Sequence, residues 1–270
     1  MLGGSLRLAN FTVLKSSVAN HELSTDLVSL FPKASNQLLR VCDMNYQFLT
    51  PNILHSDNFL PIQVIDELYA TFENIESRFI APQWASASQG QLSANQTSYA
   101  HCGGKDFWYQ GNEFQDPTYA SITNLQRWFF SQGFDAFIRK SNPNAFQFMG
   151  PLDKKLCGVH AVTYNNGGYY NWHVDNLVFV NGEKRKRKNY FTFTLTLMRN
   201  YEQCTGGDQL LMDDGRVVNI PLGHNIMTVF PSYIHHAMNP MITRDNKELA
   251  FLDQRFNLQF WVTLEHQPAA

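Results

Sequence analysis

Two residues past the middle of the chain, His173 and Asp175, have side chains suited to one metal ion and a spacing that lets them share it. They close the stretch Leu156 to Asp175, LCGVHAVTYNNGGYYNWHVD, which reads as two strands joined by a glycine-rich turn. Side chains alternate faces along a strand, so these two point the same way with backbones roughly 6 to 7 Å apart. An imidazole and a carboxylate on one wall make two thirds of a 2-His-1-carboxylate facial site, which holds Fe(II) and leaves coordination positions open. A chain with nine histidines also produces His-x-Asp pairs by chance, so the pair alone does not decide the chemistry.

The segments around the pair predict what positions it. Phe191, Phe193, Leu195 and Leu197 alternate with Thr192, Thr194 and Thr196, a period of two that puts threonines on one strand face and large apolar groups on the other. After Gly206 and Gly207 comes GDQLLM, and Asp214-Gly215 is a tight hairpin turn into RVVNI. With NIMTVF, IHHAM and QRFNLQFWVTL these give about eight short strands, the pattern of a double-sheet jelly roll, or cupin-like barrel. Two helices precede them, the order expected when helices brace one face of a sheet. The first spans 61–75, with Ile65, Leu68, Tyr69 and Phe72 at helical spacing and Pro61 in its first turn. The second spans 117–139, starting at Asp116-Pro117 and ending at Asn142-Pro143. The fold expected is mainly β with bracing helices, a double-stranded β-helix whose core runs over 156–264.

At 270 residues the chain is read as an N-terminal extension, 1–54, packed on one domain, 55–270. Hydrophobic content of 44% and a net charge of −2 call for neither nucleic acid nor an anionic membrane. No apolar run is long enough to span a bilayer, the N-terminus lacks the pattern of a signal peptide, and a cytoplasmic location is expected. Cys42, Cys102, Cys157 and Cys204 are widely spaced and read as reduced thiols rather than disulfides or a zinc site. Residues 80–116 are polar with interleaved aromatics and read as a lid, a substrate-facing loop or a plain surface loop, with His101 solvent-exposed.

A barrel with His173 and Asp175 at its mouth needs another histidine from later in the chain, and His224, His235 and His236 are the candidates. The segments YNNGGYYNWHVDN, TGGDQL, VFPSYIHHAMNP and RFNLQFWV together resemble the Fe(II)/2-oxoglutarate-dependent oxygenases, in their prolyl-4-hydroxylase-like branch. The resemblance covers roughly residues 57–263. Its Phe-Pro-Ser segment followed by the distal iron histidine selects His236, leaving His235 on the opposite face. It places an arginine at the start of the last barrel strand to pair with the far carboxylate of 2-oxoglutarate, a role Arg255 matches through RFNLQFW. A bidentate guanidinium suits a buried dicarboxylate. Arg244 is the rival, nearer the family's usual interval from the histidine but in a charged turn, whereas Arg255 requires an insertion from Thr243 to Gln254. The same resemblance implies Tyr164 and Thr196 as cosubstrate partners, and Asn176 as a residue that orients the aspartate, lines the entrance or merely starts a turn.

What the resemblance implies is a dioxygenase using Fe(II), 2-oxoglutarate and O2, with ascorbate as a candidate reductant and His173, Asp175 and His236 as iron ligands and catalytic centre. The aspartate argues for hydroxylation, since halogenating members lack it. A prolyl residue in a peptide or protein is the first substrate expected, and a free amino acid or small metabolite the alternative. The basic loop Lys184 to Lys188 reads either as a contact for an acidic partner or as a solvated hairpin tip. A non-catalytic cupin-like metal-binding protein is the rival from another class, and Arg255 speaks against it. A nucleic-acid demethylase finds little support, because the basic run is local and no base-stacking motif accompanies it.

Overall fold

The threonine strand and its apolar partners lie where two layers meet, a helical one and a curved antiparallel sheet. The computed structural model describes residues 46–80, 101–109, 115–129, 159–175, 179–180, 183–184 and 187–265. In chain order, β1 (Tyr46–Thr50) and β2 (Ile53–Ser56) precede helix α1 (Ile62–Asn74), β3 (His101–Tyr109) and helix α2 (Ala120–Trp128). Then follow β4 (Val159–His173), β5 (Phe179–Val180), β6 (Glu183–Lys184), β7 (Arg187–Leu197), β8 (Cys204–Gly206) and β9 (Gln209–Asp213). The last five are β10 (Arg216–Ile220), β11 (Ile226–Pro231), β12 (His235–Met238), β13 (Met241–Thr243) and β14 (Arg255–Glu265).

The main sheet runs β1-β2-β11-β7-β14-β4-β12-β9-β10, with β3 paired to β4. β4 makes the barrel. Its first part, Val159–Tyr164, pairs with β14, while Tyr170 and His173 pair with β12, so one strand passes from one wall to the other. The expected pair of strands around the glycines is therefore a single strand of 15 residues with a bend. Gly167 takes φ +75°, and a Cβ on Gly168 would come within 2.8 Å of the Asn165 carbonyl, so only glycine fits this bend without strain. Asp214 and Gly215 both take positive φ, as expected for the hairpin turn joining β9 to β10.

The period of two in β7 is borne out. Phe191, Phe193, Leu195 and Leu197 join the main core, in which Val64, Leu68 and Phe72 of α1 and Ile122 and Leu125 of α2 pack against the sheet. Phe72 stacks on Phe256 of β14 with ring centroids 4.6 Å apart. Burial of each such side chain stabilises by about 1.5–3 kcal/mol. The threonines face the other way, into the barrel, where they are also buried.

Three expectations change. Residues 46–54 are not an extension: β2 is hydrogen-bonded to β11 and buried throughout, so the domain reaches back at least to Tyr46. The polar segment 80–116 contains β3, where Phe107 and Tyr109 are buried in the core while Trp108 on the other face is 38% exposed. Helix α1 follows its predicted span, but residues 117–119 are a 3-10 turn capped by the Asp116 side chain, which accepts from the Thr118 N–H. The continuation of the second predicted helix, 130–139, lies outside the described residues, as do 156–158 of the predicted core.

The insertion between His236 and Arg255 is tied to the bend of β4. Asn165 Oδ1 accepts from the Leu249 N–H (2.7 Å), and Asn166 Oδ1 accepts from the Thr243 N–H (3.0 Å). The added residues thus leave β14 in the sheet.

Candidate metal and cosubstrate site

His173 is the last residue of β4, Asp175 follows two positions on, and His236 lies on β12 directly opposite His173 in the strand pairing. The three offer one ligand atom each within 4.8 Å of one another, the only such group among the described residues. His173 Nε2 lies 3.6 Å from Asp175 Oδ1, and His236 Nε2 lies 3.5 Å from Oδ2.

Local backbone sets both imidazoles. The Nδ1–H of His173 donates to the Asn171 carbonyl (2.8 Å) and that of His236 to the Ile234 carbonyl (3.0 Å). With Nδ1 protonated, each Nε2 presents its lone pair to the common centre, the tautomer a metal ligand requires. His236 Nε2 is buried and has no hydrogen-bond partner. A donor set of two lone pairs and a carboxylate around one point, with a buried nitrogen left unpaired, fits a divalent metal ion.

Asp175 is held by two bonds to its carboxylate and one from its backbone. Thr192 Oγ1 donates to Asp175 Oδ2 (2.8 Å), the Trp261 indole N–H donates to the same oxygen (3.0 Å), and the Asp175 N–H donates to the Ser232 carbonyl (2.9 Å). Burial alone would raise the Asp175 pKa, but the two imidazoles and these two side-chain donors together hold it below its ordinary value. Trp261→Phe removes one donor without opening a large cavity. It is expected to weaken Fe(II) binding by about 10–100-fold, read by metal titration; an unchanged affinity would show that the indole plays no part in holding the carboxylate.

Burial, and after it repulsion from His236, push His173 down to about 3. An unfolded histidine titrates near 6.5, so between these values the unfolded chain binds a proton that the folded one does not. The metal-free protein should therefore lose stability as pH falls below about 6.5, by up to about 1.4 kcal/mol per pH unit from this group. Urea midpoints at neutral and mildly acidic pH check this, and a midpoint that does not drop would contradict it.

On the same inner face Arg255, the first residue of β14, pairs across to Tyr164 of β4 and is 4% exposed. Its guanidinium donates to Thr196 Oγ1 (3.2 Å) and to Met238 Sδ (2.8 Å), sits 5.5 Å from the centre of the Tyr164 ring, and has a buried Nε without a partner. Burial brings its pKa down to about 10, which leaves it charged at neutral pH, and burial likewise raises that of the Tyr164 phenol. Among the described residues no carboxylate lies within ion-pair distance of it. A buried, unpaired cation is costly and calls for an anion from outside the chain.

The structure thus brings together His173, Asp175 and His236, and separately Arg255, Tyr164 and Thr196. Arg244 is exposed in the turn after β13, with its backbone N–H donating to the Gln203 carbonyl. His235 is exposed on the outer face, and His224 Nδ1 accepts from the Met198 N–H. Asn176 and the side chains of His101 and of Lys184 to Lys188 lie outside the described residues. Cys204 is a free thiol, as expected; the other three cysteine side chains are likewise outside.

Sequence reasoning did not single out Thr192 or Trp261, although both lay in segments it used. It also passed over His160 of β4, whose ring nitrogens meet Gln259 Oε1 (3.1 Å) and Asp106 Oδ2 (3.3 Å) while Trp108 stacks on the ring at 4.0 Å. Its signal is inward parity with Tyr164, four residues on.

Comparison with known proteins agrees with this geometry. Residues 159–263 match the model of the 2OG-Fe(II) oxygenase superfamily. No curated protein matches the chain in sequence. Among solved structures, the chain is similar to a prolyl hydroxylase from Trichoplax adhaerens, in complex with a hypoxia inducible factor oxygen degradation domain peptide fragment. The TM-score is 0.52 at 20% identity, over 78% of this chain and 83% of that one. It is also similar to a Pseudomonas putida prolyl-4-hydroxylase, with TM-score 0.51 and 17% identity over 78% and 92% of the two chains. These likenesses concern the fold. The matched stretch carries the triad at the mouth of a double-stranded β-helix, so over residues 159–263 the chain is similar to the 2OG-Fe(II) oxygenase superfamily in sequence pattern and, with these solved structures, in fold.

Proposed function

We propose that this chain is a 2-oxoglutarate-dependent dioxygenase that hydroxylates a C–H bond of a prolyl residue in a peptide or protein, with His173, Asp175 and His236 holding Fe(II) and Arg255 anchoring 2-oxoglutarate. The observation that carries the site assignment is the buried guanidinium of Arg255, unpaired with any carboxylate of the described residues and facing the same barrel interior as the triad. Iron, 2-oxoglutarate and O2 together supply the oxidising step, in which decarboxylation of the cosubstrate to succinate and CO2 accompanies insertion of one oxygen atom into the substrate bond. The protein's part is placement. The Asn171 and Ile234 carbonyls aim the two imidazoles, Thr192 and Trp261 fix the carboxylate, and the fork of Arg255 with Thr196 sets where the distal carboxylate lies. The prolyl assignment draws its support from the prolyl-4-hydroxylase-like motifs and from the shared fold of the two prolyl hydroxylases. A cytoplasmic location belongs to the same proposal.

Anaerobic addition of Fe(II) and 2-oxoglutarate to the metal-free protein should produce the visible charge-transfer band of a chelated 2-oxo acid, followed in air by succinate release that depends on a proline-containing peptide. No band at saturating iron and cosubstrate would overturn the site assignment. Succinate release driven by a free amino acid and not by peptides would replace the prolyl substrate with a small metabolite.

A further inference from the structure

The neighbour of the anchoring cation is a methionine. One terminal nitrogen of Arg255 donates to Thr196 Oγ1, and the other lies 2.8 Å from Met238 Sδ. A thioether is a weak acceptor without charge, so Met238 does little to compensate the guanidinium. What it does is fill the space beside it. Met238 lies two residues past His236 on β12, paired across to Tyr170 and Gln209, so the strand that carries a triad histidine also carries this wall.

Methionine is usually a yielding wall, because its unbranched chain can swing aside. Here it has nowhere to go. Met238 is 6% exposed and belongs to one buried cluster with Val162, Tyr164, Met198 and Met241, of which Met198 and Met241 have no exposure at all. The distance from triad to guanidinium is likewise set by strands, since β4 pairs with β12 at one end and with β14 at the other. A ligand that chelates metal at one end and reaches Arg255 at the other meets the Met238 thioether against one arm of the fork, so added length in the ligand crowds its far carboxylate against that side chain.

We propose that Met238 is the residue that sets the length of the 2-oxo dicarboxylate the site accepts. The five-carbon acid fits with the methionine in place, and a six-carbon acid fits once that side chain is shortened. This rests on the assignment of Arg255 as the anchor. Rejection of one added methylene by an apolar wall is worth roughly tenfold to two-hundredfold in affinity.

The test is equilibrium binding of 2-oxoglutarate and of 2-oxoadipate to the iron-loaded protein without oxygen, followed by the charge-transfer band and by calorimetry. The wild type should prefer 2-oxoglutarate by about tenfold or more, and Met238→Ala should reduce or reverse that preference by a similar factor. Because truncation in a packed cluster can unfold the chain, Met238→Val is measured alongside, with circular dichroism to confirm the fold. Met238→Leu, which keeps the bulk and loses the sulfur, should retain the preference. An unchanged ratio of affinities in both truncations would overturn the proposal, as would relaxation in Met238→Leu equal to that in Met238→Ala. Failure of the wild type to bind either acid would instead overturn the anchor assignment on which the proposal stands.

Discussion

Replacing Arg255 by alanine should weaken 2-oxoglutarate binding by about 2 to 5 kcal/mol, roughly thirtyfold to a few thousandfold, while Fe(II) affinity stays close to that of the wild type. The expectation follows from burial. A fork that is 4% exposed works in a medium of low polarity, where its pairing with a carboxylate is little screened. Lysine at the same position keeps the charge and loses the second donor, so it should recover only part of the affinity. Arg244→Ala is the informative control. That side chain is exposed in a turn, and its loss should leave cosubstrate binding unchanged. Titration of the charge-transfer band measures all of these, and a large loss in Arg244→Ala would reassign the anchor.

His236→Ala should abolish stoichiometric Fe(II) binding. Outer partners of a metal ligand are worth about 10–100-fold in affinity, and removal of a ligand itself should exceed that range. Because Asp175 keeps its bonds from Thr192 and Trp261 and His173 keeps its carbonyl, the remaining two ligands stay in place, and the loss is attributable to the missing nitrogen. His235→Ala, one residue away on the outer face, should bind iron as the wild type does. Metal content after desalting, with the Fe(II) titration, separates the two. Retention of one iron per chain by His236→Ala would show that the triad is not the metal site.

The parts of this fold that were readable in the sequence are those whose pattern is local. The Phe/Thr alternation of β7 announces a strand with one apolar face because the core on one side and the barrel interior on the other impose different chemistry. The helix at 62–74 shows its buried stripe for the same reason. His173 and Asp175 are neighbours in sequence, but His236 and Arg255 were placed by a motif, since nothing local in IHHAM separates one histidine from the other. β1 and β2 were not readable. YQFLT and ILHS are short, lie on either side of a Pro51-Asn52 turn, and become strands because β11, far along the chain, offers an edge to β2, which in turn pairs with β1. β3 hid in a polar stretch because only one of its faces meets the core. The roles of Trp261 and Met238 depend on contacts across the barrel, which no spacing along the chain encodes.

The order of strands bears on how the molecule can be made. β14 is the last of the described strands, yet it lies between β7 and β4 in the middle of the main sheet and carries Arg255. During synthesis β4 and β7 must wait for it, each with an unpaired edge that stays open until residues 255–265 emerge. Such long-range pairings are slow to form and expose strand edges to neighbouring chains in the interval. The barrel cannot be laid down strand by strand from the N-terminal side. Its closure, and with it the placing of the guanidinium on the same inner face as the metal ligands, follows only once β14 has paired with both strands.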